Sequence, residues 1–526
     1  MRHFLKLIER VGNRLPDPTT LFAIGTLLVL AISHIAVVYD WQVVEKRPAD
    51  AVEGVVQWQE TGDIHKANSL LTSDGILWVL KNMRKHFMEF PPLGVVLFGM
   101  LGIGVAERTG FIPALLRLSM ARLPSRLLTP VTVLVGILST IASDAGYIVL
   151  PPLAAVVYMS FGRSPLAGIA AAFAGVSAGF NANLMITSLD PMLSELTQTG
   201  ARVIDPDYSV SPACNWYFMI ASTFVLTLAG WWTSEKLVEP NLRTSVNGEP
   251  MPDMSHHQQP DPVTRHEARG VLIALGSSMA FFLVLMAAIF IPGAPLHGPL
   301  GESVAEAGDN PEMPRWIVVV VPLLFFSLFI PGITYGIHQK VVRTDKDLAR
   351  LFNESIASMA PIIVLAFFAG QFIFCFQQSG LGRMMAEAGG QALGQADMPI
   401  WALLVVFIGV VGVFNLLVGS MSAKYAVFAP IFVPMFMMVG ISPELTQAAY
   451  RIGDSTTNII TPLNAYLIIV ITFMQRFQPK AGMGTLISMM LPYTIVFTIV
   501  WVVMIVVWLV FSLPLGPQGQ GPLFYP

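Results

Sequence analysis

Residues 127–161 read LLTPVTVLVGILSTIASDAGYIVLPPLAAVVYMSF, an apolar run of 35 broken by one acid, Asp144. A helix needs about 20 residues to cross the roughly 30 Å hydrocarbon core of a bilayer. This run therefore crosses once with a surplus, or enters and returns. Arg122 and Arg126 stand before it and Arg163 after it. Basic residues gather on the cytoplasmic side, so a single crossing leaves one flank on the wrong side. A re-entrant hairpin keeps both flanks together and puts the small, polar string Ser139–Gly146 at its tip. Residues 400–438 repeat the pattern, with Asn415, Gly419, Ser420, Ser422, Lys424 and Tyr425 in the middle and Pro430 and Pro434 closing it. The alternative is two pairs of full spans joined by tight turns.

Outward from the hairpins, apolar stretches mark spans at about 21–39, 91–106, 166–189, 216–234, 270–291, 316–334, 356–376, 445–470 and 485–511. The helix around Trp78 adds to the short second one. The expected fold is an all-α polytopic membrane protein of about nine transmembrane helices plus two re-entrant hairpins in an inverted repeat. Only 12% of residues are charged and 54% are hydrophobic, where a soluble domain carries about 25% charged. Arg2, Lys6, Arg10 and Arg14 put the N-terminus in the cytoplasm of a bacterial inner membrane protein, and strict counting puts Arg108, Arg117, Lys340 and Arg350 on the same side. The polar linker 234–269 divides a half at 1–233 from one at 270–526, and the loops 190–215 and 293–315 are acidic and external. The tail Gly516–Pro526 is uncharged and reads as extended, and a net charge of −3 with no basic stripe gives no reason to expect a nucleic-acid partner.

Each hairpin precedes a span that is polar at its centre. After the first comes Gly175-Val-Ser177-Ala-Gly179-Phe-Asn181-Ala-Asn183, ending at Asp190-Pro191. After the second comes Arg451-Ile-Gly453-Asp454-Ser-Thr-Thr457-Asn458-Ile-Ile-Thr461-Pro462-Leu-Asn464. From Asp144 to Asn183 is 39 residues and from Ser422 to Asn458 is 36. Inverted repeats with interrupted helices point to a midplane binding site in a secondary transporter. Gly and Pro open such helices and free backbone groups that a cation, an anion or a water-lined cavity must satisfy. Close helix packing by small residues explains the first copy alone but not a charged second copy. Asp144, Asp190, Lys424, Arg451 and Asp454 are ionisable groups within or beside apolar segments, where they work in pairs facing a cavity. Arg451 and Asp454, three apart, form a neighbouring pair on one helix face.

With those strings on the page, the chain resembles the AbgT family of p-aminobenzoyl-glutamate transporters. The likeness runs from Val11–Phe22 (VGNRLPDPTTLF) to Gly484–Tyr493 (GTLISMMLPY) and is densest at PLAGIAAAFAGVSAGFNANL (165–184), FAPIFVPM (428–435) and AAYRIGDSTTNIITPLNAY (448–466). It implies a homodimer of protomers with nine spans and two hairpins, embedded in lipid. It also implies substrate passage near Asp190, Asn415, Ser422, Pro443, Arg451 and Asp454. Members import aminobenzoyl-glutamate, and some export sulfonamide antimetabolites. The chain departs from the family's pattern in carrying Tyr425 for Trp and Lys424 for a frequent Gln, which leaves its substrate range open.

The functional expectation is an ion-coupled secondary carrier for an aromatic anion. Lys424 and Arg451 meet its carboxylates, Tyr425 its ring, and Asp144, Asn181, Asn183, Asp454 and Asn458 the coupling sodium ion or proton. No other cofactor and no catalysis are expected. Proton-driven efflux of sulfonamide-type compounds is the alternative. Gly175-Val-Ser177-Ala-Gly179 also matches the G-x-S-x-G nucleophile pattern, which needs a strand–turn–helix setting that a span lacks.

Overall fold

Prolines mark where many of the helices begin. Pro18, Pro91, Pro165, Pro361 and Pro443 each occupy a first turn, where the missing N–H is no loss and the fixed φ suits the helix. The computed structural model describes residues 17–52, 55–120, 124–142, 145–245, 264–304, 311–396, 398–464, 466–518 and 521–524. Asp144 and the basic residues at 2, 6, 10, 14 and 122 lie outside the described residues. The first half holds α1 (Pro18–Val38), strands β1 (Gln42–Val52) and β2 (Val55–Lys66), α2 (Ser73–Met88), α3 (Pro91–Arg108) and α4 (Phe111–Met120). There follow α5 (Leu128–Ser139), α6 (Ala145–Ser160), α7 (Pro165–Phe173), α8 (Leu189–Ala201), α9 (Trp216–Thr233) and α10 (Glu239–Ser245). The second half holds α11 (Arg265–Phe290), α12 (Arg315–Val318), α13 (Val320–His338), α14 (Asp345–Ser358), α15 (Ala360–Gln378) and α16 (Leu381–Gln395). It ends with α17 (Ile400–Asn415), α18 (Met421–Met437), α19 (Pro443–Thr457), α20 (Tyr466–Gln475) and α21 (Met483–Val510). Several of these present lipid-facing sides; on α11, Leu272, Leu283, Val284 and Phe290 are all more than 60% exposed, which suits a bilayer and not water.

Both 127–161 and 400–438 fold as two helices with a break between them. The arms α5, α6, α17 and α18 have 12, 16, 16 and 17 residues, so each is about 18–26 Å long, short of the roughly 30 Å core. The first pair of feet stands on one spot, since Thr129 donates to Glu235 at 3.1 Å and Arg163 pairs with Glu235 and Glu239. In the second hairpin Phe414 faces Phe428 and Phe407 faces Phe436, which makes the arms antiparallel. The foot of its second arm adjoins α16, where Gly389 and Gly390 leave room for Met435 and Met438.

A series of helix starts recurs along the chain. Helices begin at Ser73 and Asp345, Pro91 and Ala360, Leu128 and Ile400, Pro165 and Pro443, and Trp216 and Met483. A left-handed glycine, Gly110 or Gly380, follows the second helix of each series. A close backbone contact repeats as well. A Cβ on Gly175 would lie 2.5 Å from the Val133 carbonyl oxygen, and one on Gly453 would lie 2.6 Å from that of Ile408. In each copy the helix after the hairpin thus rests its backbone on the hairpin's first arm.

Several expectations change. The segment 190–215 is not simply an external loop, because α8 opens it and buries Met192, Leu193 and Leu196. The stretch 445–470 is two helices, α19 and α20, and 316–334 is α12 and α13 broken at Val319. Helix α16, rich in Gly and Ala, carries no long apolar run and reads as no span, yet it braces the second hairpin. The paired strands β1 and β2 add a small antiparallel sheet to an otherwise helical fold. The tail is also held: Leu515 accepts from the amides of Tyr217 and Phe218, Pro522 from Ser442, and Phe524 donates to Gly440.

A topology test follows from the feet. Position 124 suits cysteine labelling, but Arg163 is tied up in ion pairs, so Phe161, 41% exposed, is the better second position. Cysteines at 124 and 161 should both react with an impermeant maleimide from the cytoplasmic side. Labelling from opposite sides would mean that the run crosses the bilayer once and that the first hairpin does not exist.

Candidate functional site

The site forms where the two broken helices meet. Helix α7 continues into a π turn over Ala174–Ala178 and stops at Gly179; such turns arise where the i→i+4 ladder is interrupted, often at functional sites. Residues 179–188 run irregularly until α8 begins. Asp190 sits in the first turn of α8, and its Oδ2 accepts from the Thr187 amide (2.6 Å) and hydroxyl (2.8 Å). A carboxylate is favoured there by the unpaired amides of the helix start. Across from it stands α19, every residue of which from Pro443 to Thr456 is buried.

Arg451 reaches from α19 to Asp190, with Nη2 2.5 Å from Oδ1. Its Nη1 points at Met219 Sδ, 3.3 Å away. The same turn is clasped by Asn181, whose Nδ2 donates to the Arg451 carbonyl (3.2 Å) and the Ser455 hydroxyl (2.6 Å). Asp454 faces another way. Its Oδ1 lies 2.6 Å from Lys424 Nζ on α18. Lys424 also donates to Asn415 Oδ1 at the end of α17. Asn415 Nδ2 donates in turn to the Asp454 carbonyl (2.6 Å), Thr457 Oγ1 (2.8 Å) and Asn458 Oδ1 (2.9 Å). The neighbouring pair expected of Arg451 and Asp454 therefore does not form. Each takes a partner from another helix, because three residues turn their side chains about 60° apart on an α-helix and the bundle offers both an opposite charge.

All four charges are within 3% of full burial. Taking ions out of water is costly unless they are paired and hydrogen-bonded, and here both conditions hold. Asn183 turns to the first hairpin and donates to Thr140 Oγ1 at 3.1 Å. Asn458 meets Asn415 in the second, so each broken helix holds the break of its own hairpin through an asparagine. Ser422 lies beside Ser420, hydroxyls 3.4 Å apart, and Pro443 opens α19. Tyr425 is 1% exposed, with its ring 4.3 Å from that of Tyr450 and its hydroxyl 2.6 Å from Thr197. In this conformation its face is covered by protein.

Several participants escaped sequence reasoning. Thr187, Thr197, Gln447 and Ser455 all touch the site, and Thr197 donates to Gln447 at 2.8 Å. Helical spacing is the signal that finds Gln447 and Thr197: Gln447, Arg451 and Asp454 fall at i, i+4 and i+7 on α19, and Asp190, Ser194 and Thr197 do so on α8. Glu444, buried at the start of α19 and bonded to Tyr208 (3.0 Å), is a further unexpected carboxylate. Ser177, the candidate nucleophile, sits in the π turn and accepts from Asn464 at 3.3 Å; among the described residues no histidine is paired with it.

Interrupted helices that cross at buried, balanced charges inside a multi-pass apolar bundle define a membrane transport protein. The chain belongs to the AbgT putative transporter family, whose pattern it matches over residues 3–523. It is 33% identical over 513 residues to the p-aminobenzoyl-glutamate transport protein of Escherichia coli (strain K12), covering 97% of this chain and 95% of that one. Two solved structures share its fold. The YdaH transporter of Alcanivorax borkumensis has 36% identity and a TM-score of 0.85, covering 95% of this chain and 100% of that one. Neisseria gonorrhoeae MtrF, described within a class of antimetabolite efflux pumps, has 39% identity and a TM-score of 0.86, covering 98% and 99%.

Proposed function

We propose that the protein is an ion-coupled secondary transporter of p-aminobenzoyl-glutamate or a similar aromatic carboxylate. The observation that carries this reading is the Arg451–Asp190 pair, which joins the broken helix of one copy to that of the other. A substrate carboxylate that enters between them competes with Asp190 for the guanidinium. Asp190 is then left buried without its counter-ion, which costs several kcal/mol unless a cation arrives with the substrate. Charge balance alone thus couples the anion to a proton or a metal cation. The repeat of elements and the short hairpin arms support an inverted arrangement, with the hairpins entering from opposite sides of the bacterial inner membrane and the N-terminus in the cytoplasm. A homodimer is the proposed assembly. The likeness to MtrF favours a second reading, proton-driven efflux of sulfonamide-type compounds through the same site.

Proteoliposomes of the full chain test both. Labelled p-aminobenzoyl-glutamate and a labelled sulfonamide are offered in turn, with proton and sodium gradients imposed separately and in each direction. The expected result is gradient-driven movement of at least one compound, abolished by an ionophore that collapses the gradient. Movement no faster than in empty vesicles under every gradient would sink the transport reading for these substrates.

A further inference from the structure

The oxygens of Asp454, Asn415 and Asn458 are the kind of hard donors an alkali cation takes at an unwound helix. An ammonium stands among them. Lys424 Nζ lies 2.6 Å from Asp454 Oδ1 and donates to Asn415 Oδ1. The amide of Asn415 is turned to receive it, since Nδ2 is spent on the Asp454 carbonyl, Thr457 and Asn458. Asp454 Oδ1 has no hydrogen-bond partner besides this ion pair. Lys424 is 3% exposed, so its charge is fixed in place and not shared with solvent.

We propose that Lys424 is a tethered cation occupying a site that would otherwise take a sodium ion, so that this transporter works without sodium at the Asp454 pocket. A lysine ammonium and a sodium ion each bring one positive charge and seek oxygen ligands. A second monovalent cation in the same pocket would sit about 3 Å from the first, where repulsion in a poorly screened interior is severe. The ammonium differs from a free ion in one respect: it cannot leave with the substrate. The pocket is thereby converted from a coupling site into a permanent brace between α17, α18 and α19, and Asp190 remains as the carboxylate that substrate entry uncovers. The last clause rests on the transport reading; the occupancy of the pocket does not.

The test separates the two. The purified full chain, Lys424→Gln and Lys424→Gln/Asp454→Asn are unfolded thermally in NaCl, KCl and choline chloride at equal ionic strength. The wild type should melt within about 1 °C in all three salts, while Lys424→Gln should gain at least about 3 °C in NaCl over choline as sodium binds the folded state. The double variant, having lost the carboxylate, should gain nothing. In vesicles, the ratio of the rate in sodium to that in choline should rise about fivefold or more in Lys424→Gln over the wild type, the lower end of usual coupling. Lys424→Ala gives the same reading where the glutamine packs badly, and recovery of either variant only when purified in sodium also supports the proposal. Sodium-specific stabilisation of the wild type, or no sodium response in either single variant, would overturn it. Absence of transport with the melting pattern intact would count against the transport reading and leave the tethered cation standing.

Discussion

Arg451→Leu should cost about 3–5 kcal/mol of stability and abolish transport, because it leaves Asp190 buried without its counter-ion. The two bonds from Thr187 persist and hold the result toward the lower end of that range. The informative comparison is Arg451→Leu/Asp190→Leu. Replacing both members of a buried pair by apolar groups of similar volume is often neutral or stabilising, so this variant should regain most of the lost stability. It should still not transport, since the guanidinium that would receive a carboxylate is gone. Chemical unfolding in detergent and vesicle uptake, measured on the same preparations, give the two readouts. Transport restored in the double variant would reduce the pair to a structural clasp. A swap of Arg451 with Asp454 carries no such information, because Asp454 pairs with Lys424 and the exchange would disturb both pairs.

Tyr425→Ala should cost about 3–5 kcal/mol, the usual range for emptying a large core site, and should weaken every ligand alike. The ring fills space against Tyr450 and the hydroxyl anchors Thr197. Tyr425→Phe keeps the ring and removes one hydrogen bond, for a loss of about 1 kcal/mol. Titration of the purified variants with aminobenzoyl-glutamate and with glutamate separates packing from stacking. A loss confined to the ring-bearing ligand, with unfolding unchanged, would mean that Tyr425 faces substrate in another conformation and that packing is not its main role.

What could be read from the sequence was what depends on local pattern. Arg126 and Arg163 flanking an overlong run disclose a returning segment, and Gly175, Gly179 and Pro462 disclose where helices break. The ends of those helices were harder. Asp190-Pro191 resembles the start of a loop, yet an acid and a proline in a first turn are equally the start of a helix, and α8 begins there. The partner of Arg451 was beyond local reading altogether, since 261 residues separate it from Asp190 and only the crossing of two helices brings them together. The strand pair had a signal, Glu53-Gly54 between two valine-rich runs, that membrane composition overshadowed. Asp144 stays an expectation, because it falls outside the described residues.

The pairing of the four buried charges has an electrical consequence. A free charge carried through the whole membrane field does about 2.3 kcal/mol of work per 100 mV. Arg451 with Asp190, and Lys424 with Asp454, each form a neutral couple. Under the proposed ion coupling, the unloaded transporter would reset without working against the membrane potential, and only the step that carries substrate and its cation would register the voltage.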